Sequence, residues 1–391
     1  MSTVEFHTAA RMAQHRRLRI DTVTLALLLA IVLLGLVMVT SASITVASRE
    51  GGSFLYLQRQ LVLVAVGTAG AALAFCLRSE QVEALSVPLM FTAFLLLVLV
   101  FVPGLGHRVN GSRRWLAIAG FNFQASEAAR LCLLLYVAGY AVRREQELRS
   151  SFMGLVRPLG VLAAAGVLLL AEPDFGAASV LFVTGFALLF LAGARLRYVA
   201  LALLAAAAGF AWLAMSSDYR VRRLTSFRDP FADPYHSGFQ LVQSLIAIGR
   251  GQWFGVGLGE SVQKLFYLPE AHTDFLFAVL AEELGLAGVV LTLGLFLGLV
   301  WRSFHIARLA ARAGAKFGAY VAAGFGLWLG IQAFVNIGVN MGVLPTKGLT
   351  LPLMSYGRSS LVVALVWAGL LLRVYHEATE PLRGSVTRAP S

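Results

Sequence analysis

Ten apolar runs of membrane-spanning length are the feature that most constrains this fold. A helix rises about 1.5 Å per residue, so about 20 residues cross the roughly 30 Å hydrocarbon core of a bilayer. The runs cover Thr22 to Val46, 60–77, 85–102, 125–142, 157–171, 175–194, 198–215, 275–301, 318–344 and 359–375. We therefore predict an all-α polytopic membrane protein with ten transmembrane helices.

The first run follows a basic stretch, Arg11, Arg16, Arg17 and Arg19, that resembles the start of a signal peptide. The apolar part of a signal peptide spans roughly 7–15 residues, whereas this run spans about 25. We therefore expect an uncleaved first helix.

The composition argues against a soluble or nucleic-acid-binding protein. Of the 391 residues, 58% are hydrophobic and 13% are charged, and the mean hydropathy is +0.77. Soluble proteins carry charge at about a quarter of positions, so this chain cannot cover a water-facing surface. The net charge is +12, but Lys and Arg are scattered through short loops, so topology and anionic lipid explain them better than nucleic acid does.

Cys76 and Cys132 lie far apart in apolar runs, and we expect both to be small buried hydrophobic residues.

The distribution of Lys and Arg orients the chain. An even number of spans places both termini on one side, and cytoplasmic loops are enriched in Lys and Arg. The tails and the loops on their side carry Arg11, Arg16, Arg17, Arg19, Arg78, Arg143, Arg144, Arg149, Arg157, Arg195, Arg197, Arg302, Arg308, Arg312, Lys316, Arg373, Arg383 and Arg388. The short loops on the other face carry only Arg49, Arg59, Arg108, Arg113, Arg114, Lys347 and Arg358. Both termini are therefore predicted to be cytoplasmic.

This topology divides the chain into a cytoplasmic tail at 1–21, one membrane domain at 22–376 and a disordered cytoplasmic tail at 377–391. It also makes 216–274 a long external loop. Loops of this length are usually functional or disordered. Apolar residues spaced through Gly238 to Gly259 favour an ordered helix, half-buried at the membrane surface.

Charged residues inside the predicted spans are candidates for function, because a charge at the bilayer centre costs about 2.5–3.5 kcal/mol on insertion scales. Glu127 and Arg130 lie three residues apart, so they share a helix face and can pair. Glu282 and Glu283 follow Asp274 at positions that let at most one of them share its cavity. In each case a purely structural ion pair is an equal alternative.

Other polar segments lie near the ends of spans. Glu172-Pro173-Asp174 forms a predicted tight turn whose carboxylates are either functional or simply hydrated. Gln332, Asn336 and Asn340 recur every four residues, and this stripe either lines a groove or, slightly favoured, hydrogen-bonds across helices. The glycines of 255–259 lack the strand and βαβ context of a nucleotide site.

The predicted external segment from His107 to Gln124 carries Arg108, Arg113 and Arg114 beside Trp115, against the positive-inside bias. Paired arginines suit an anionic ligand, above all a phosphate. Solvated loop charges are the alternative explanation.

Three segments together resemble the SEDS family (shape, elongation, division and sporulation). They are Tyr267-Leu-Pro-Glu-Ala-His-Thr-Asp-Phe275, Ala281-Glu-Glu-Leu-Gly285 and Ser355-Tyr-Gly-Arg-Ser-Ser360. Asn110-Gly111, Arg114-Trp115, Phe123-Gln124 and Glu172-Pro-Asp-Phe-Gly176 extend the resemblance over nearly the whole chain. The 269–275 and 344–352 segments are more similar to the division branch than to the elongation branch.

The chain departs from the family pattern at three positions. Arg358 stands where a second glycine is usual, Ala125 where proline is usual, and Arg130 where lysine is usual. The first departure implies either that the backbone there needs no positive φ or that ligand contacts differ.

The resemblance implies a glycosyltransferase of the inner membrane, acting at the division septum, that polymerises lipid II into glycan strands. It implies a single-span class B penicillin-binding protein as the crosslinking partner, together with other division proteins, membrane lipid and the nascent strand, and no nucleic acid. The family's essential aspartate corresponds to Asp274, which we expect to act as the general base of an inverting transfer.

The other expected site residues would bind substrate. Arg113, Arg114, Lys347 and Arg358 are the expected leaving-group cations, and His272 either positions the acceptor or donates a structural hydrogen bond. The remaining candidates are Trp115, Glu127, Arg130, Glu282, Asn336, Ser355 and Ser359. No firm metal cluster is present in the sequence, and a divalent cation (Mg²⁺ or Mn²⁺) on the substrate diphosphate stays an open alternative.

Three other functions fit part of the pattern. A precursor flippase would use the intramembrane charges and the polar stripe, although no internal repeat supports alternating access. A scaffold would leave Asp274 dispensable, and an elongation-type polymerase would share the chemistry.

The predicted topology can be tested at Ser237. A cysteine introduced there should react with a membrane-impermeant maleimide in intact spheroplasts, because the loop is predicted to be external. Labelling only after lysis would contradict the topology.

Overall fold

The computed structural model describes residues 19–109, 112–118, 121–215, 227, 229–234, 238–265, 267–346 and 348–380. The chain is mostly helical. In chain order the helices are α1 (Thr22–Glu50), α2 (Leu55–Cys76), α3 (Ser79–Ala84), α4 (Ser86–Leu99), α5 (Ala125–Arg143), α6 (Glu145–Ser150), α7 (Phe152–Ala171), α8 (Phe175–Leu191), α9 (Leu196–Met215), α10 (Phe239–Gly251), α11 (Leu276–Arg312), α12 (Lys316–Asn340) and α13 (Arg358–Thr379). A 3₁₀ turn covers Pro230–Ala232.

Seven helices in the described part of the chain are long and apolar enough to cross a membrane. They are α1, α2, α5, α7, α11, α12 and α13. The other three predicted runs fall on the shorter apolar helices α4 and α8 and on Leu196–Gly209 of α9. Membrane-spanning helices are therefore confirmed, while the count of ten crossings stays a prediction.

A small antiparallel sheet makes the all-α prediction wrong between α4 and α5. Its strands are β1 (Gly106–Val109), β2 (Ser112–Ile118) and β3 (Phe121–Gln124), in the order β1-β2-β3. Leu116 pairs with both Gly106 and Phe123 and is buried against Val100. The strands are only four to seven residues long, so their residue patterns are too short to predict a sheet.

The exposure of Cys76 also corrects an expectation. Its side chain is exposed at the end of α2 rather than buried. Because α2 itself is mostly exposed and apolar, an apolar run at this position indicates contact with lipid and not a place in the protein core.

The longest helix, α11, is broken at Gly285, where φ is 65°. A Cβ atom there would lie 2.3 Å from the backbone nitrogen of Gly255, so the loop after α10 can approach only a glycine. The N–H groups of Leu286 and Ala287 donate to the carbonyls of Gln252 (2.8 Å) and Trp253 (3.1 Å). The loop therefore replaces helical hydrogen bonds that the break removes.

A buried ion pair joins this loop to α1 and α11. The Lys264 ammonium lies 2.9 Å from the Glu283 carboxylate, which also accepts a hydrogen bond from the Ser41 hydroxyl at 2.7 Å. Lys264 donates in addition to the Gly259 carbonyl at 2.6 Å. Both charged side chains are buried, so each depends on the other for its stability.

We predict that Lys264→Met strongly destabilises the protein, because it leaves the Glu283 carboxylate buried without a cation. Breaking a buried pair in this way costs about 3–5 kcal/mol. The double variant Lys264→Met, Glu283→Gln should recover much of the loss, since no charge remains unpaired. Unfolding of the detergent-solubilised protein measures both effects.

Lys316→Met provides the matched control. Lys316 pairs with Glu145 at 2.6 Å, but this pair is exposed and screened by water, so its loss should have little effect. Equal losses for Lys264→Met and Lys316→Met would contradict a structural role for the buried pair.

Candidate functional site

The backbone at Asp274 is fixed by the polar stripe of α12. The side-chain amides of Asn336 and Asn340 both donate to the Asp274 carbonyl, at 2.8 and 3.1 Å. Asn336 donates also to the carbonyl of Leu349 at 2.6 Å, and Asn340 accepts from the N–H of Ala278 at 3.2 Å. The stripe therefore hydrogen-bonds across segments, which is the alternative that the sequence slightly favoured.

The carboxylate of Asp274, in contrast, accepts no hydrogen bond from a described residue, and Gly348 lies so close that a Cβ there would be 3.1 Å from Oδ2. The pKa of Asp274 is raised to about 7, chiefly by burial and in smaller part by the charges of Glu270 and Asp174, against the lowering effect of Arg114. A carboxylate with this pKa can take and release a proton near neutral pH.

His272 lies within an aromatic cluster next to Asp274. Its ring is 4.8 Å from that of Tyr56 and 5.7 Å from that of Tyr356, centroid to centroid. The Tyr356 N–H donates to the His272 carbonyl at 3.0 Å. Burial lowers the pKa of His272, with Glu270 and Glu50 opposing, so the ring is favoured in its neutral form.

Asp174 is the centre of a second group of contacts that the sequence pointed to only as part of a turn. It caps α8 by accepting from the Ala177 N–H at 3.1 Å. It also accepts from the Ser126 hydroxyl (3.1 Å) and the Gln124 amide (3.3 Å). The Arg114 guanidinium lies 3.9 Å away. This pair joins the arginine segment to the 172–174 turn, and the charges of both residues act on the pKa of Asp274.

Glu172 is fully buried, and neither carboxylate oxygen has a hydrogen-bond partner among the described residues. Its pKa is raised to about 8, chiefly by burial and in smaller part by the charge of Asp174, against the lowering effect of Arg114. Glu172 is therefore mainly protonated at neutral pH. Neither Glu172 nor Asp174 was among the predicted site residues, although the Glu-Pro-Asp turn was the signal that could have placed them there.

The remaining predicted residues have varied surroundings. Glu127 and Arg130 form the buried ion pair that their spacing predicts, and the Arg130 guanidinium lies over the Trp328 ring at 5.4 Å. Glu282 accepts from the Ser261 hydroxyl at 2.5 Å and pairs with Arg250 at 3.1 Å, so it holds the loop.

The other predicted site residues are two serines, two residues of β2, Arg358 and Lys347. The Ser355 and Ser359 hydroxyls accept from the N–H groups of Leu351 (3.0 Å) and Gln124 (2.7 Å). Trp115 lies in β2 opposite His107 and Gln124, and Arg113 lies in the same strand opposite Arg108. Arg358 starts α13 without a left-handed backbone, so a glycine is not required there. Lys347 lies outside the described residues.

The described residues offer no ready metal cage. Among them, no three His, Cys, Asp or Glu side chains converge in a way that could hold an ion.

A family model and several known proteins match nearly the whole chain. A family model described as "Cell cycle protein" matches residues 21–380. A protein of Thioalkalivibrio sulfidiphilus named "Probable peptidoglycan glycosyltransferase FtsW" is 56% identical over 373 residues, covering 94% of this chain and 93% of its own. A protein of the same name from Alkalilimnicola ehrlichii is 54% identical, covering 92% and 90%.

Two solved structures share the fold. One, described as "Structural coordination of polymerization and crosslinking by a peptidoglycan synthase complex", has a TM-score of 0.76 at 34% identity and covers 93% of this chain and 100% of its own. The other, the crystal structure of the rod shape determining protein RodA of Thermus thermophilus, has a TM-score of 0.68 at 31% identity and covers 93% and 99%.

We predict that single charge changes move the pKa of Asp274 in opposite directions. Glu270→Gln should lower it, because a neighbouring negative charge is removed, whereas Arg114→Gln should raise it. Infrared difference spectra recorded across pH report the protonated carboxyl, and Asp274→Asn identifies its band. Glu260→Gln, an exposed change in the same loop, is the control and should have no effect. A pKa near 4 that none of these variants shifts would show that Asp274 is not perturbed by burial or by these charges.

Proposed function

Because this chain belongs to the family of cell cycle proteins that joins FtsW, RodA and SpoVE, we propose that it polymerises lipid II with Asp274 as the general base. The chain is a peptidoglycan glycosyltransferase of the division type, as its similarity to FtsW proteins over most of its length shows. The observation that supports the proposed mechanism is the carboxylate of Asp274, which is partly buried and accepts no hydrogen bond from the described residues. Two asparagine amides hold the backbone carbonyl of the same residue.

The reaction requires one proton transfer and one displacement. The 4-hydroxyl oxygen of an acceptor GlcNAc attacks C1 of the MurNAc on the growing strand, and its proton passes to Asp274. The bond between C1 and the diphosphate oxygen breaks with inversion, and undecaprenyl pyrophosphate leaves with the bonding electrons. A base is most effective when its pKa lies near the working pH, which the surroundings of Asp274 provide.

The departing diphosphate needs positive charge, and Arg114 is the cation that acts on Asp274. We assign Arg113, Lys347 and Arg358 to the same role from the sequence pattern. Asn336, Ser355 and Ser359 would position the site through their backbone contacts, and Trp115, Glu127, Arg130, Glu282 and His272 would shape the substrate cavity. A divalent cation, where one is used, would arrive on the substrate diphosphate.

The arrangement in the cell is part of the same proposal. The chain would cross the inner membrane ten times at the septum, with tails 1–21 and 377–391 in the cytoplasm and loop 216–274 of the 22–376 domain outside. Its partner would be a single-span class B penicillin-binding protein, and the similar chain from a peptidoglycan synthase complex supports such a pairing. Other division proteins would join the assembly.

We predict that Asp274→Asn lowers lipid II polymerisation by about 10²–10⁴-fold, the usual contribution of a general base. Asparagine keeps the shape of the side chain but cannot accept a proton at neutral pH. In the wild type the rate should rise as the pH increases through about 7, because the base must be unprotonated. Labelled lipid II and the purified protein with its partner measure both effects.

Two controls separate this mechanism from the alternatives. Glu260→Gln removes an exposed carboxylate of the same loop and should polymerise normally. Co-purification of the partner with Asp274→Asn shows that the variant is folded. A residual rate within about tenfold of wild type would be too fast for loss of a base and would remove Asp274 from the mechanism, whereas the absence of glycan strands from the wild type with its partner present would favour a flippase.

A further inference from the structure

The turn after α10 exposes large aromatic side chains that the fold itself does not use. Trp253 is 71% exposed and Phe254 is 84% exposed. The preceding helix buries its other face, including Leu241, Val242 and Ala247. Two adjacent exposed aromatic residues next to a packed helix indicate a surface that meets another phase or another molecule.

The position of this turn is fixed by backbone hydrogen bonds and not by its side chains. The Gln252 and Trp253 carbonyls accept from Leu286 and Ala287, immediately after the break in α11. Trp253 therefore lies at the same depth in the membrane as residues 285–287.

Two ion-pair clusters show where that depth lies. Asp21 binds Arg302 at 2.7 Å at the start of α1, and Ser41, nine residues before the end of α1, binds Glu283 beside Lys264. The twenty residues from Asp21 to Ser41 correspond to about 30 Å of helix, which matches the hydrocarbon thickness of a bilayer. Charged groups fit at both boundaries of the hydrocarbon and not between them.

The α11 surface between the two clusters has the apolar character that lipid requires. Its exposed side chains include Leu286, Val290, Leu291 and Leu297, and Trp301 lies beside Arg302 at the far boundary. Trp253 and Phe254 continue this surface at the near boundary, on the side of Asp274. Trp and Tyr are enriched at both membrane interfaces, where the ring is buried and its polar edge meets the headgroups.

We propose that the turn 252–258 is a lipid anchor, which inserts Trp253 and Phe254 into the interface of the leaflet on the Asp274 side. The anchor acts through the same loop that carries Lys264, so lipid contact holds this loop against Glu283 and the broken end of α11. This inference goes beyond the proposed reaction and does not depend on it.

Fluorescence quenching in nanodiscs tests the anchor without measuring activity. A single cysteine replaces Trp253, Phe254 or, as the control, the exposed Glu260, in a chain carrying Cys76→Ser and Cys132→Ala. Each cysteine carries the same environment-sensitive dye. Lipids with a nitroxide near the headgroup should quench the dye at 253 and 254 several-fold more than at 260, and aqueous iodide should show the reverse order.

Because position 260 carries the same dye, a difference between the positions cannot come from partitioning of the dye itself into the membrane. Equal iodide quenching at all three positions, with no lipid quenching, would overturn the proposal by placing the turn in water. Lipid quenching that disappears when the purified transpeptidase partner is added would also overturn it, because the aromatic surface would then belong to a protein interface.

Discussion

A helix that breaks inside a membrane protein must find new partners for the backbone groups that the break releases, since no water is there to take them. In an unbroken α11, Leu286 would donate to the Glu282 carbonyl and Ala287 to that of Glu283. In this structure the loop supplies all four partners. Gln252 and Trp253 accept from the two N–H groups, and Val256 and Gly257 donate to the two carbonyls at 3.0 and 3.2 Å. The break and the loop therefore require each other.

The replacement of helical hydrogen bonds by hydrogen bonds to the loop explains the glycines and the charged residues around the break. Gly255 and Gly285 approach too closely for any side chain, since a Cβ on Gly255 would lie 2.1 Å from the Glu283 carbonyl oxygen. Glu282 and Glu283 lie just before the break and are held by separate cations, Arg250 at the end of α10 and Lys264 in the loop after it. The two glycines allow the loop and the helix to pack closely, and the two glutamates bind the loop to the helix.

The part of α11 that precedes the break begins just after Asp274. The backbone carbonyl and the side-chain carboxylate of Asp274 have different surroundings. Two asparagine amides satisfy the carbonyl, while the described surroundings give the carboxylate no donor. A rigid backbone with a carboxylate that no described residue hydrogen-bonds suits a group that must accept a proton from a bound molecule, because its position is fixed. Burial is the main cause of the raised pKa.

The sequence alone determined the features that depend on local pattern. Apolar length predicted the membrane helices, i,i+3 spacing predicted the Glu127–Arg130 pair, and motif residues singled out Asp274. It could not determine which distant segments meet. The approach of Arg114 and Asp174 to Asp274 and the pairing of Lys264 with Glu283 depend on loop packing between helices far apart in the chain. The short sheet and the break at Gly285 were missed because their stability comes from hydrogen bonds to other segments, which leave no periodic signal in the residues that form them.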